Sequence, residues 1–112
     1  MSVRSIALSL PDVEERDHHG MPSFRVCGKI FATVPDEDHV RVMVDEAEIH
    51  AAVAEDPVSC SESFWGDRLA CVIVDTRVAD PEFLRSLLLE AWARKAPPAL
   101  VRKHPEVRPA SE

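Results

Sequence analysis

The sequence predicts an α+β domain, a two-layer sandwich in which an antiparallel sheet carries helices on one face. Three observations lead to this fold class: a β-hairpin pattern over residues 20–34, apolar strand patterns at 39–44 and 69–74, and a helix start at Asp80-Pro81. Taken in chain order, these patterns predict the element order α-β-β-β-α-β-β-α. A chain of 112 residues is long enough to bury one core without disulfides.

The N-terminus is predicted to be a short amphipathic helix. Four apolar residues recur there at helical spacing, namely Val3, Ile6, Ala7 and Leu10. Pro11 ends this helix because proline disfavours a helical conformation in the residue before it. Residues 12–17 have the composition of an acidic connector, and residues 17–19 are a candidate short strand.

The hairpin is predicted to turn at Gly28-Lys29. A Gly-X pair between two apolar runs suits a two-residue type II′ turn, whose first central residue has a positive φ. This turn pairs Val26 with Phe31 and Phe24 with Thr33. Phe24, Val26 and Phe31 then share one face of the ribbon and start the core.

The next segment is predicted to be a half-buried strand followed by a short helix. Val40, Val42 and Val44 alternate with polar or longer side chains over residues 39–44. Asp45 has the position of a helix N-cap, with Glu48 three residues later. Asp56-Pro57 ends this helix.

The second half of the chain supplies two more strands and the main helix. Residues 58–63 are a weak strand, residues 64–68 form a turn with two aromatics, and residues 69–74 are apolar enough for a strand covered on both faces at the middle of the sheet. A long helix begins at Asp80-Pro81 and ends at Ala96. The residues expected in the core are Phe24, Val26, Phe31, Val42, Ile73, Leu84, Leu88 and Trp92.

The C-terminal segment completes the domain. One more helical turn is possible over residues 99–103. Residues 1–104 are predicted to form a single domain, and residues 105–112, with two prolines, a flexible tail.

The motif Gly20-x-Pro22-x-Phe24-x-Val26-x-Gly28-Lys29-x-Phe31-Ala32 resembles that of the MmcQ/YjbR family of small bacterial proteins. The preceding Leu10-Pro11-Asp12-Val13-Glu14-Glu15 is similar to the family's entry into this hairpin, and Ala91-Trp92 with Ala96-Pro97 is similar to its C-terminal helix. The resemblance implies a frataxin-like (CyaY-like) fold, also described as a double wing. It also implies the DNA-binding label that family members carry, which rests on an analogy of fold.

Composition and charge limit the classes of function. The net charge is −7, with 18 acidic and 8 basic residues in the first 90 positions and 2 and 5 in the last 22. This acidity disfavours an extended nucleic-acid footprint. Three cysteines without CxxC spacing suggest reduced thiols, and no run of about 20 apolar residues predicts a membrane span. We expect a soluble, cytoplasmic protein with no membrane partner.

No catalytic, metal or cofactor signature stands out. His18 and His19 are adjacent, but neighbouring strand residues point to opposite faces and cannot both bind one ion without distortion. Cys27 lies near Lys29, yet a cysteine in a strand is usually a buried apolar residue. The sequence therefore predicts a non-enzymatic protein with no catalytic residue, no metal site and no cofactor.

Two classes of binding function remain. The first is weak DNA binding through the hairpin and the basic C-terminal region. The second is interaction with another protein through an acidic face or the Phe64-Trp65 turn. The acidic candidates are Asp12, Glu14, Glu15, Asp17, Asp36, Glu37 and Asp38. The DNA-binding candidates are Arg25, Lys29, Arg41, Arg94, Lys95, Arg102 and Lys103, for which plain solvent exposure is the alternative.

Overall fold

A computed structural model describes residues 2–107. Its helices are α1 (Val3–Leu8), α2 (Glu46–Glu55), α3 (Pro81–Lys95) and α4 (Pro98–Lys103), followed by a 3₁₀ turn over Pro105–Val107. Its strands are β1 (Val13–His18), β2 (Met21–Val26), β3 (Lys29–Asp36), β4 (His39–Val42), β5 (Cys60–Trp65) and β6 (Arg68–Asp75).

The six strands form one antiparallel sheet in the order β1-β2-β3-β4-β6-β5. Helix α3 packs on β3 and β4, α2 packs on β5 and β6, and α1 packs on β1. The predicted fold class, an antiparallel sheet with helices on it, is confirmed. We call the side of the sheet that carries the helices the covered face and the opposite side the open face.

The structure adds one strand to the predicted order, because residues 13–18 form β1 instead of an acidic connector. All six residues of β1 pair with β2, from Val13 opposite Val26 to His18 opposite Met21. As an edge strand, β1 needs apolar residues on one side only, and its polar composition conceals its conformation from sequence patterns. Residues 17 and 18 of the predicted short strand are thus the end of a longer strand, and His19 follows it.

The predicted turn at Gly28-Lys29 is wrong by one residue. The turn residues are Cys27 and Gly28, with φ values of 50° and 82°, as a type I′ turn requires. Val26 therefore pairs with Lys29. The segment Cys-Gly-Lys satisfies either turn type, because glycine suits the first position of one and the second position of the other. A bulge in the β2/β3 pairing leaves Phe31 as an extra residue of β3, and Phe31 remains in the core.

The apolar strand β6 lies next to the edge of the sheet, so its predicted place at the middle is wrong. Val72 and Val74 are buried beneath α2 on the covered face. Ile73 was expected in the core but is half-buried, because it lies opposite Arg41 on the open face. The other seven expected core residues are buried in one cluster.

Helix α3 contacts the N-terminal part of the chain through Trp92. The Trp92 side chain is fully buried, and its indole Nε1 donates a hydrogen bond to the Pro11 carbonyl oxygen at 3.0 Å. Residues 105–107 of the predicted tail form the 3₁₀ turn, and Val107 packs against the core. The predicted tail residues 108–112 lie outside the described residues. Within residues 2–107, every helix is too short or too polar to cross a bilayer.

Helix α2 begins as predicted. The Asp45 carboxylate accepts a hydrogen bond from the Glu48 backbone amide at 2.9 Å, which caps the helix. Ile49 and Ala52 provide its buried side.

Candidate functional site

A groove of about 650 Å³ extends from the open face of the sheet to the end of α3 and the start of α2, and it collects cationic side chains. Four cations line it, and we call it the basic groove. They come from three separate parts of the chain: Arg41 from β4, Arg68 from β6, and Arg94 and Lys95 from the end of α3. Asp45 and Glu46, at the start of α2, are the two carboxylates that line it.

Helix α3 brings its last turn to the groove by a contact with β4. The Arg94 guanidinium Nη1 donates a hydrogen bond to the Met43 carbonyl oxygen at 3.0 Å, which also satisfies a carbonyl beyond the end of that strand. Lys95 is half-buried beside it. Burial lowers the pKa of the Lys95 ammonium, and the nearby positive charges of Arg94, Lys29 and Arg68 lower it further. The groove therefore concentrates positive charge.

These four cations lack carboxylate partners among residues 2–107. Two arginines outside the groove show the contrast: Arg4 pairs with Glu15 at 2.7 Å, and Arg77 pairs with Asp75 at 2.9 Å. An unpaired cation at the surface leaves its hydrogen-bond donors available to a ligand. The groove is thus electrostatically complementary to an anion.

Trp65 lines the rim of the groove next to Arg68. The Arg68 guanidinium carbon lies 5.8 Å from the centre of the Trp65 ring, within the range of a cation–π contact. Sequence reasoning identified the Phe64-Trp65 turn but missed Arg68. The sequence does contain a signal for Arg68: a two-residue turn at Gly66-Asp67 brings β6 back beside β5 and places Arg68 opposite Trp65.

The structure brings together three of the seven predicted DNA-binding residues, Arg41, Arg94 and Lys95, in the basic groove. Arg25 lies elsewhere on the open face, where its Nε donates a hydrogen bond to the Ser23 hydroxyl at 3.2 Å. Lys29 is exposed at the start of β3, close enough to affect the pKa of Lys95.

Arg102 and Lys103 lie apart from the basic groove. They line a separate surface cavity of about 520 Å³ formed by α4 and the residues just before it. The basic residues near the C-terminus therefore form two groups, one at the end of α3 and one on α4.

His18 and His19 both line the basic groove. The expectation that they point to opposite faces is wrong, since their ring centres lie 4.4 Å apart. His19 follows the end of β1 and has a φ of 54°, so the alternation of a strand does not apply to it. Within the described chain, no three His, Cys, Asp or Glu side chains are grouped so that they could hold a metal ion.

Four of the acidic candidates, Asp12, Glu14, Glu15 and Asp17, lie on β1 or directly before it. Acidic side chains also form two further regions. Near the β3–β4 turn, Asp36 accepts a hydrogen bond from His39, and Arg77 lies between Asp38 and Asp75. Arg77 lowers the pKa of the Asp75 carboxyl to about 2. The second region was missed by sequence reasoning. It is a crevice between α2 and α3, which we call the acidic crevice, and its carboxylates are Glu48, Glu55, Asp80, Glu82 and Glu90.

The cysteines divide into one exposed and two buried thiols. Cys27 is exposed in the β2–β3 turn, so its expected place within a strand is wrong. Burial raises the pKa of the Cys60 and Cys71 thiols, which keeps them protonated. All three are free.

Phe64 and Trp65 are exposed at the end of the edge strand β5, with 53% and 55% of their surface accessible. As neighbours in the chain, the two aromatic side chains form a small exposed apolar patch that a ligand or partner can cover. Trp65 adjoins the basic groove, whereas Phe64 does not line it.

Comparison with known protein families gives a match to the family model described as YjbR, over residues 8–94. The matched range starts at the end of α1 and includes the whole sheet, α2 and nearly all of α3. Neither the curated proteins nor the solved structures provide a match.

Proposed function

The chain belongs to the YjbR family, in agreement with the resemblance carried by its hairpin motif, and from this premise we propose that it binds DNA weakly through the basic groove. The observation that carries the proposal is the convergence of four unpaired cations, Arg41, Arg68, Arg94 and Lys95, on one concave surface. Cationic side chains on a phosphate backbone supply most of the affinity of such contacts. The protein then acts by binding, without catalysis.

The exposed Trp65 ring supports the same proposal. Nucleic-acid bases stack on aromatic side chains, and such stacking tolerates any base sequence. The ring stands at the rim of the groove beside Arg68, so a base and its phosphate have adjacent partners. The expected binding is accordingly independent of sequence.

The rest of the surface limits the affinity. The net charge of −7 and the acidic crevice repel a polyanion that extends beyond the groove. We expect a dissociation constant no tighter than about 10⁻⁶ M near physiological salt. The salt dependence should correspond to roughly two to four phosphates.

Fluorescence anisotropy of a labelled oligonucleotide, titrated at several salt concentrations, tests this proposal. Replacing Arg94, Lys95, Arg102 and Lys103 together with glutamine should abolish binding. Splitting the set into Arg94→Gln/Lys95→Gln and Arg102→Gln/Lys103→Gln then separates the two basic groups. The first pair should weaken binding more, because only it shares a groove with Arg41 and Arg68, and Lys29→Gln alone should have a smaller effect than the first pair.

Arg85→Gln is the matched control for loss of one positive charge, because Arg85 lies on α3 and does not line the groove. It should leave binding nearly unchanged. Nanomolar, sequence-selective binding would contradict the proposed weak contact. Absence of binding at low salt would remove DNA as the ligand.

A second candidate function, docking of another protein, is favoured by one observation: Phe64 is 53% exposed and lies outside the basic groove. A photoreactive amino acid at position 64 should then yield one discrete crosslinked partner in cells. The same group at Val78, which is equally exposed at 56% in the loop after β6, is the control. Equal crosslinking at both positions would indicate nonspecific contact.

A further inference from the structure

The floor of the basic groove contains two buried polar groups without partners. Thr33 of β3 and Arg41 of β4 are cross-strand neighbours, and both line the groove. Within residues 2–107, the Thr33 hydroxyl oxygen and the Arg41 Nε are buried and have no hydrogen-bond partner. We call these two residues the groove floor.

Buried polar groups without a hydrogen-bond partner lower the stability of the fold unless a ligand binds them. Leaving a buried donor or acceptor unsatisfied typically costs about 1–3 kcal/mol. Thr33 is only 3% exposed, and the Arg41 guanidinium makes one weak contact, from Nη1 to the Met21 sulfur at 4.0 Å. A hydroxyl and a guanidinium that lie side by side can donate to oxygens of the same anionic group, such as a phosphate.

The walls of the groove suit a flat apolar group. Met21, Ile30, Met43 and Leu69 line it, with the Trp65 ring at the rim. Thioether and aliphatic side chains pack well against a planar ring, and an indole ring stacks on it. The groove thus combines an anion-binding floor with an apolar wall.

The size and shape of the groove select among nucleic acids. A volume of about 650 Å³ lies within the range of about 300–1,000 Å³ that is typical of sites for small organic ligands. A duplex presents its phosphates on a convex surface with its bases paired inside. It can therefore reach the exposed Arg68 and Arg94 at the rim but not the buried Thr33.

From these features we propose that the basic groove takes one unpaired nucleotide of a single-stranded nucleic acid, with its phosphate on Thr33 and Arg41 and its base against Trp65. This inference rests on the proposed function, because it uses the same groove. It adds a ligand class, single strands in preference to duplexes, and it assigns Thr33 as a ligand-binding residue.

The test compares three fluorescently labelled or competing ligands on the full chain. They are a single-stranded thymidine oligonucleotide, the corresponding thymidine–adenosine duplex and thymidine monophosphate, with inorganic phosphate as a further competitor. We expect the single strand to bind at least fivefold more tightly than the duplex. Thymidine monophosphate should compete for the groove more strongly than inorganic phosphate, because only the nucleotide has a base for Trp65.

Variants of the floor separate this inference from general electrostatics. Thr33→Val keeps the shape and charge of the side chain but removes the hydroxyl. It should lower the affinity for the single strand and for the mononucleotide about fivefold and leave the affinity for the duplex unchanged. Thr33→Ser retains the hydroxyl and should bind like the natural protein. The double variant Arg94→Gln/Lys95→Gln should lower the affinity for every ligand that carries a phosphate. Thermal unfolding of each variant shows whether it is folded.

The possible failures are distinguishable. Equal binding of single strand and duplex, or a folded Thr33→Val protein with unchanged single-strand affinity, would overturn the inference and leave the proposed function in place. Binding of thymidine monophosphate without binding of any oligonucleotide would overturn both the proposed function and the single-strand preference, and would leave the groove as a site for a free mononucleotide. Absence of binding by all three nucleotide ligands would overturn both.

Discussion

The two faces of the sheet are built from the same strands but serve different purposes. On the covered face, Val40 and Val42 of β4 and Val72 and Val74 of β6 are completely buried beneath helices. On the open face, the alternate position Arg41 is half-buried and lines the basic groove. Alternation along a strand thus gives one backbone a packed side and a side that is available to a ligand.

The difference also separates stability from binding. Burial of apolar surface on the covered face supplies the main stabilising free energy of a domain of this size. The open face can therefore hold unpaired polar groups at a cost that the rest of the fold tolerates. Variants of the two faces should fall into two distinct classes.

The largest effect is expected from truncation on the covered side. Leu88 of α3 is fully buried, so Leu88→Ala should lower the free energy of unfolding by about 2–5 kcal/mol through lost burial and a cavity. Urea denaturation measures this loss. Ile73→Ala is the control on the open face, where the side chain is half-buried, and should cost about 1 kcal/mol. A loss below about half a kilocalorie for Leu88→Ala would contradict the assignment of the buried face of α3.

Smaller changes in stability, of opposite sign, are expected when two neighbouring hydroxyl groups of the open face are removed. Ser23 and Thr33 are cross-strand partners, and both are buried. The Ser23 hydroxyl donates to the Arg16 carbonyl oxygen at 2.8 Å and accepts from Arg25, so Ser23→Ala should cost about 1 kcal/mol. The Thr33 hydroxyl has no partner among the described residues, so Thr33→Val should raise stability by about 1 kcal/mol.

Thermal or urea unfolding without ligand measures both variants under the same conditions. A loss of stability in Thr33→Val equal to that in Ser23→Ala would mean that the Thr33 hydroxyl is satisfied in the free protein. The contrast between the two faces would then lose its clearest example.

The covered face was largely predictable from the sequence, because apolar periodicity reports burial directly. The alternation of Val40, Val42 and Val44 and the stripe that includes Leu88 and Trp92 each identified the side that is buried. The turn at Cys27-Gly28 was missed because one glycine satisfies two turn types. Its register is decided by the bulge that keeps Phe31 in the core, and local sequence does not reveal such a bulge.

The basic groove was only partly predictable, because it depends on strand order. Arg41, Arg94 and Lys95 were identified as cations, but nothing local to them shows that they share a surface. Their meeting requires β4 to lie beside β6 and α3 to end over β4. Arg68 and Thr33 were missed for the same reason, since each gains its significance from a neighbour across the sheet.

The smallest expected effect concerns unpaired charge on the helix side. Glu90 is half-buried in the acidic crevice, and its pKa is raised, first by burial and then by the negative charges of Glu48 and Asp45. A raised pKa in the folded state means that folding favours the protonated carboxyl. Stability therefore falls as the pH rises through the ordinary range of a glutamate, about 4.3, and through the raised pKa above it. Glu90→Gln removes this penalty and should increase stability at pH 7 by about 0.5 kcal/mol.

The pH dependence distinguishes this cause from any other effect of the substitution. The gain in Glu90→Gln should vanish below about pH 4, where the natural glutamate is protonated in both states. Glu82→Gln in the same crevice is the matched control, because Glu82 lies in the first turn of α3 and its charge favours the positive end of the helix dipole. The Glu82→Gln variant should lose about 0.3–1 kcal/mol of stability, whereas Glu90→Gln should gain stability. A gain in stability of Glu90→Gln that persists at low pH would show that charge repulsion in the acidic crevice is not its source. Destabilising unpaired charge would then be confined to the open face.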